Sequence, residues 1–183
     1  EAKGLDAQAY CDEMATDIRR TLRKIDIGYD RFIRTSDADH KRVVQALVQK
    51  AYDKGDIYKN KYEGHYCDGC EAYYLDKDLV DGKCPHHGVK PRWISEENYF
   101  FKLSKYQKEI ENLFAANSDF LQPESRRGEL LTFVRDGLRN FSISRTTDSM
   151  SKPWGIPLPF DSSHVVYVSF DALINYITAA NYE

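Results

Sequence analysis

Cysteine is scarce in this chain and unevenly spread. Only four occur among 183 residues: Cys11, Cys67, Cys70 and Cys84. A secreted scaffold held by disulfides would carry more of them, in balanced pairs. Three clustered thiols and one outlier instead fit a metal site in a reducing compartment, cytoplasmic or mitochondrial. Long apolar runs are missing too. No stretch approaches the ~18 consecutive apolar residues of a membrane helix, so no membrane partner is expected. The opening residues, EAKGLDAQAY, have neither the basic nor the apolar region of a signal peptide, and no initiating Met. They read as the start of a trimmed chain or of a fragment. Charge of one sign is not in excess. Lys and Arg total 26 against 29 Asp and Glu, a net charge of -3, which excludes a basic field over the whole molecule but not a local basic face. No glycine-rich phosphate loop, nucleophile elbow or well-placed carboxylate pair is present.

What is present is ordinary for a folded protein. Hydrophobic residues make up 42% and charged residues 30%, so wholesale disorder is not expected. Leu5, Ala9, Met14, Ile18 and Leu22 recur at helical spacing, which predicts a helix over 5–24 capped by Asp6. A second helix begins near Ser36 or Asp37 and runs to about Asp53, with Val43, Val44, Leu47, Val48, Ala51 and Tyr52 as its apolar stripe. Gly55 falls where a positive φ ends a helix. Residues 57–101 lose the helical period. Ile57-Tyr58, Tyr62–Tyr66 and Asn98–Leu103 read as short strands, and Asp81-Gly82 as a hairpin turn. Ser104 and Gln107 match a capping box for a helix with Tyr106, Ile110, Leu113 and Phe114 on its face. Pro123 and Ser125 start another, with Leu130, Phe133, Val134 and Leu138 inward. Residues 139–163 read as irregular chain. Val165–Ser169 reads as a buried strand feeding a helix from about Asp171 to Ala180, one piece of an α/β sheet.

The metal pattern is the sharpest signal. Cys67-Asp-Gly-Cys70 and Cys84-Pro-His-His87 are two pairs of C-x2-C or C-x2-H spacing, with thirteen residues between them for a hairpin return. Each pair lets two ligands reach one tetrahedral ion from a tight turn. Three thiolates and an imidazole suit Zn2+ better than a hard cation, with iron as the rival ion. His86 competes for the fourth place, but its C-x-H spacing is tighter than that of His87. A shell filled by protein leaves no place for a catalytic water, so the zinc is expected to be structural.

Other candidates have plain alternatives. Asp37, Asp39 and His40 could form an acid–base cluster, or simply cap a helix and complement its dipole. Glu124, Arg126 and Arg127 precede a helix. Arg127, Arg135 and Arg139, with Arg145 downstream, could contact phosphate, or form a solvated face with ion pairs. Asp171 stands at the predicted strand end, where α/β sheets bind ligands, or caps the last helix.

Several runs carry a resemblance, in order along the chain. They are Tyr29-Asp-Arg-Phe-Ile-Arg-Thr35, Gly55-Asp-Ile-Tyr58, Tyr62-Glu-Gly-His-Tyr-Cys67 and Cys70-Glu-Ala-Tyr-Tyr74. Next come Leu79-Val-Asp-Gly-Lys-Cys-Pro85, Glu97-Asn-Tyr-Phe-Phe-Lys-Leu-Ser104, Gln122-Pro-Glu-Ser-Arg-Arg127 and Phe141-Ser-Ile-Ser-Arg145. Trp154-Gly-Ile-Pro157 and Val166-Tyr-Val-Ser-Phe-Asp-Ala-Leu-Ile-Asn-Tyr176 complete the set. Together they resemble the methionyl-tRNA synthetases, class I aminoacyl-tRNA ligases. The resemblance implies an α/β fold: part of a Rossmann-type class I synthetase catalytic domain carrying an α+β zinc-binding connective insertion. It implies a helical segment over 1–56, the zinc-binding subdomain over 57–103, the rest of the insertion over 104–163, and a strand–helix returning to the core over 164–183.

The resemblance also implies partners. These are methionine, ATP with Mg2+, tRNA(Met) and the remainder of the same synthetase. The HIGH-type signature is expected before Glu1 and the KMSKS-type loop after Glu183, so no catalytic signature residue is expected within the chain. Ser149-Met-Ser-Lys152 resembles that loop only superficially and stands in the wrong place. By the family pattern Ser169, Ala172, Leu173, Asn175 and Tyr176 line or support the methionine pocket. Ser169 stands where the family has a tryptophan, which implies altered methionine recognition. The alternative function is a free-standing zinc module that binds nucleic acid or protein.

Overall fold

The computed structural model describes residues 4, 6–70, 72–149 and 154–180. In chain order the elements are α1 (Ala7–Lys24), α2 (Ala38–Asp53), β1 (Ile57–Cys67), β2 (Ala72–Tyr74), β3 (Arg92–Phe101) and α3 (Gln107–Ala116). They continue with α4 (Glu124–Arg135), β4 (Phe141–Ser142), β5 (Ser144–Thr146), β6 (Pro157–Leu158), β7 (Asp161–Val166) and α5 (Val168–Ala179). The chain divides into two compact units, one from residues up to 50 and from 147 on, the other from 51–146.

The 51–146 unit is built on an antiparallel sheet of order β2-β1-β3-β4. β1 is one strand of 11 residues, where the sequence suggested two short pieces. Lys59, Asn60 and Lys61 do not break it because each faces a residue of β3, from Ile57 opposite Phe101 to Tyr66 opposite Arg92. Lys59 also pairs with Glu97 across the ladder at 2.8 Å. β3 likewise starts at Arg92, well before the expected Asn98, and Leu103 leaves it for a 3-10 turn. The core of this unit includes Ile57, Tyr99, Phe100, Leu121, Val134, Leu138 and Ile143.

Several expectations about this unit need correction. Ser104 and Gln107 do not form a capping box, since α3 has Tyr106 at its N-cap with no side-chain bond. Ser104 instead donates its N–H and its hydroxyl to Asn140 Oδ1. Gln107 donates to the Val134 carbonyl at 2.7 Å and accepts from the Leu138 N–H at 2.7 Å. These tertiary partners outcompete the local cap. On α4 only part of the expected face is buried: Val134 and Leu138 are inside, whereas Leu130 is 42% and Phe133 62% exposed. Residues 139–163 are not irregular throughout, for they hold β4, β5, β6 and the first half of β7.

In the other unit Asp6 caps α1 as expected, accepting from Ala9 N–H at 2.8 Å. Of this helix Ala15 is buried while Met14 and Ile18 stay exposed. α2 buries His40, Val44 and Val48, one residue per turn, and the two valines contribute about 1.5–3 kcal/mol each. β6 pairs antiparallel with β7. At Gly155 φ is +136°, and a Cβ would sit 3.2 Å from Val165 Cβ, so glycine alone allows this approach. β7 ends at Val166 and α5 begins at Val168, so Val168 and Ser169 are helical rather than strand as expected. Asp171 accordingly lies within the first turn of α5, at neither a strand end nor a cap.

Candidate metal centre and ligand face

Cys67 is the last residue of β1, and Cys70 sits in the turn before β2. The return is a two-residue turn in which Asp81 (φ 51°) and Gly82 (φ 71°) both take the left-handed conformation. Val80 and Lys83 exchange both backbone hydrogen bonds across it at 2.9 Å, the geometry of a primed hairpin turn. Cys84 follows immediately. Its N–H donates to the Val89 carbonyl and its carbonyl accepts from Gly88 N–H, which folds His87 back toward the thiols. Gly88 has φ +64°, the relaxed turn expected after His87.

The ligand atoms of Cys67, Cys70, Cys84 and His87 all lie within 4.8 Å of one another. His87 Nδ1 is 3.0 Å from Cys70 Sγ, 3.8 Å from Cys67 Sγ and 3.9 Å from Cys84 Sγ. Cys70 and Cys84 sulfurs are 3.5 Å apart. Zinc with bonds of about 2.3 Å to sulfur gives tetrahedron edges of roughly 3.7 Å, so the donor set fits that ion in size as well as chemistry. His86 is outside the cluster. Burial pushes the Cys84 thiol up, but hydrogen bonds from the His87 backbone, the His87 ring and the His86 backbone outweigh it and bring the thiol down to about 5. A thiolate favoured in this way suits a cation.

Two residues that sequence reasoning passed over support the cluster. A Cβ at Gly69 would lie 2.8 Å from His87 Cδ2 and Nε2, so the imidazole packs directly on the bare Cα. The Tyr74 hydroxyl donates to Cys70 Sγ at 3.2 Å, and that bond, with burial, pushes the tyrosine pKa up. A glycine inside the C-x2-C pair was a readable signal; Tyr74 had none beyond proximity.

The expected pocket residues fall on α5. Ser169, Ala172, Leu173 and Tyr176 are exposed and follow i, i+3, i+4, i+7 spacing, hence one face. Leu173 is 67% and Tyr176 78% exposed, unusual for large apolar side chains on one stripe. Asn175 is half-buried beside them, and its Oδ1 is buried with no hydrogen-bond partner among the described residues. The opposite face buries Asp171, Ile174 and Thr178. Asp171 meets His40 there at 2.6 Å. The His40 imidazole is therefore apart from the exposed acids, although its backbone N–H donates to Asp39: Asp37 accepts from Arg34 N–H, and Asp39 pairs with Arg31. On α4, Arg126 pairs with Glu129 and Arg127 with Glu124. Arg145 donates to the Ser142 hydroxyl and the Ser144 carbonyl. Of the run 149–152, Met150 to Lys152 lies outside the described residues.

The chain is 48% identical over 183 residues to a methionine–tRNA ligase of Clostridium acetobutylicum, covering all of this chain and 28% of that protein. It is 47% identical over 191 residues to the methionine–tRNA ligase of Streptomyces coelicolor, covering 35% of it. The chain thus spans about a third of the length of the curated relatives it matches. Among solved structures, Mycobacterium tuberculosis methionyl-tRNA synthetase in complex with methionyl-adenylate superposes with a TM-score of 0.83 at 38% identity, over 99% of this chain and 36% of that one. The apo form of the same synthetase gives 0.76 over 96% of this chain. The α/β fold is therefore that of a class I synthetase domain. The family model described as tRNA synthetases class I (M) matches residues 1–93 and 87–183. Matched over its whole length in this way, the chain belongs to the class I tRNA synthetases (M).

Proposed function

We propose that this chain is the zinc-braced insertion and one wall of the methionine site of a methionine–tRNA ligase. The whole enzyme joins methionine to ATP, which enters with Mg2+, releases pyrophosphate, and passes the methionyl group to tRNA(Met). The observation that carries the reading is the 38% identity over 99% of the chain with a synthetase holding methionyl-adenylate. It is joined by an apolar face on α5 that has no cover among the described residues.

Cys67, Cys70, Cys84 and His87 hold Zn2+. The ion ties two turns together and contributes folding free energy directly. With all four positions filled by protein it takes no part in the reaction. Residues 57–103 form the metal-binding part of the insertion and 104–163 its remainder. Residues 164–183 return to the catalytic core, and residues 1–56 lead out of it. Leu173 and Tyr176 offer apolar surface to the methionine side chain, with Ala172 and Ser169 completing the stripe and Asn175 behind it. Catalysis in such an enzyme rests on positioning and on charge stabilisation by groups in the rest of the protein.

Ser169 makes the test specific. A serine presents neither the apolar area nor the sulfur–aromatic contact of the tryptophan implied by the family pattern. In the full-length enzyme, methionine-dependent ATP–pyrophosphate exchange is measured for the natural sequence and for Ser169→Trp. The variant is expected to lower the KM for methionine by about threefold or more, consistent with one aromatic contact of about 0.5–1.5 kcal/mol. Equal efficiency of the two proteins would refute the role of Ser169. Absence of any methionine-dependent exchange from the natural full-length enzyme would refute the function.

A further inference from the structure

The buried face of α5 is polar at two of its three inward positions. Asp171 and Thr178 stand seven residues apart, two turns along one stripe, with Ile174 between them. Both reach the same side chain. His40 on α2 is fully buried; its Nε2 is 2.6 Å from Asp171 Oδ1 and its Nδ1 is 2.9 Å from Thr178 Oγ1. The Thr178 hydroxyl donates its hydrogen to the Ile174 carbonyl at 3.1 Å. Its oxygen is thus the acceptor toward His40, which places a hydrogen on Nδ1. Nε2 is left to pair with the Asp171 carboxylate. The surroundings continue the pattern. Asp39 accepts from the His40 N–H at 2.8 Å and pairs with Arg31, and Arg31 Nη1 donates to the Thr178 carbonyl at 3.0 Å.

An apolar side chain at position 40 would fill the same space without choosing among rotations of α5. Sliding α5 by one residue turns its faces by about 100°. A hydrogen-bonded bridge to two turns at once admits one register only, because any other leaves buried polar groups unpaired.

We propose that His40 is a positioning residue for substrate recognition. With Asp171 and Thr178 it sets the rotation of α5 and so the presentation of Ser169, Ala172, Leu173 and Tyr176 to methionine. The proposal rests on the reading of that face as the methionine wall, and the experiment separates the two. In the full-length enzyme, KM for methionine, KM for ATP and kcat are measured for His40→Phe, Thr178→Val, Asp171→Asn and Tyr176→Ala. His40→Phe is expected to raise the methionine KM about tenfold and Thr178→Val about threefold, with the ATP KM little changed, since small misplacements of a binding group cost this much. Asp171→Asn keeps both bridges, its amide donating to Nε2, and is expected to stay within about twofold. A purely structural role would move the melting temperature and leave the methionine KM alone.

If Tyr176→Ala raises the methionine KM while Thr178→Val and His40→Phe do not, the positioning role is overturned and the methionine wall stands. If Tyr176→Ala also leaves it unchanged, the wall itself is wrong and the proposal falls with it. If Asp171→Asn is as impaired as His40→Phe, charge rather than register matters, which also overturns the proposal. Should His40→Phe fail to fold, the near-isosteric Thr178→Val and Asp171→Asn pair decides by the same criteria.

Discussion

Gly69 shows how much can hang on a missing atom. The imidazole of His87 occupies the space where a methyl group would stand, 2.8 Å from the ideal Cβ position. Gly69→Ala is expected to push the ring off the thiols and speed zinc release about 10- to 100-fold, read as transfer to a chromogenic chelator. His87→Ala should abolish binding and His86→Ala should retain it; the reverse result would reassign the fourth ligand. Asp56 is the second residue that matters on this scale. It is buried and accepts from Lys105 and Tyr106, with Lys54 at 3.6 Å. Those hydrogen bonds, from Lys105 and then Tyr106, hold its carboxyl below the ordinary value of 3.8. A lowered folded-state pKa means that the stabilisation is complete above that ordinary value and is lost as pH falls through the folded one. Asp56→Asn is expected to destabilise by about 1–2 kcal/mol near pH 7. The gap in denaturant midpoint should close toward pH 3 and below. A gap that stays constant down to pH 2 would exclude this origin.

Single elements were legible from the sequence where their cause is local. Asp81-Gly82 is a turn because both residues tolerate positive φ, and nothing distant needs to be known. The clustering of Cys67, Cys70, Cys84 and His87 was readable for the same reason, as two tight turns with fixed donor spacing. The length of β1 was not readable, because Lys59 to Lys61 become strand only through their partners on β3. Leu130 and Phe133 fitted a helical stripe, but periodicity says which side chains share a face and not what covers it. The capping box failed for a related reason: Asn140, Val134 and Leu138 are remote in sequence and take the side chains that a local rule assigned elsewhere. His40 was noticed as part of an acidic cluster, yet its true partners lie 131 and 138 residues away.

At the scale of the molecule, the division at residues 51 and 146 keeps the whole cysteine–histidine cluster within one unit, so the proposed metal is expected to act regionally. Stripping zinc from the full-length enzyme with a chelator is expected to speed amide hydrogen exchange over residues 57–101. Protection in α5 should be largely kept. Equal loss of protection in 161–179 would mean that the two units unfold together. The chain by itself, given methionine, ATP and tRNA, is expected to form no methionyl-tRNA.

The ten facing positions of β1 and β3 also act as a ruler. Cys67 lies one residue beyond the Tyr66–Arg92 pair, and Cys84 and His87 lie on the segment that feeds β3. The two halves of the cluster meet only at that count. Because side chains alternate along a strand, losing a single residue from β1 would turn Cys67 to the opposite side of the sheet. Length variation among descendants of this sequence should therefore collect between Leu75 and Lys83, where the chain can grow without disturbing the tally, and be purged from the paired strands.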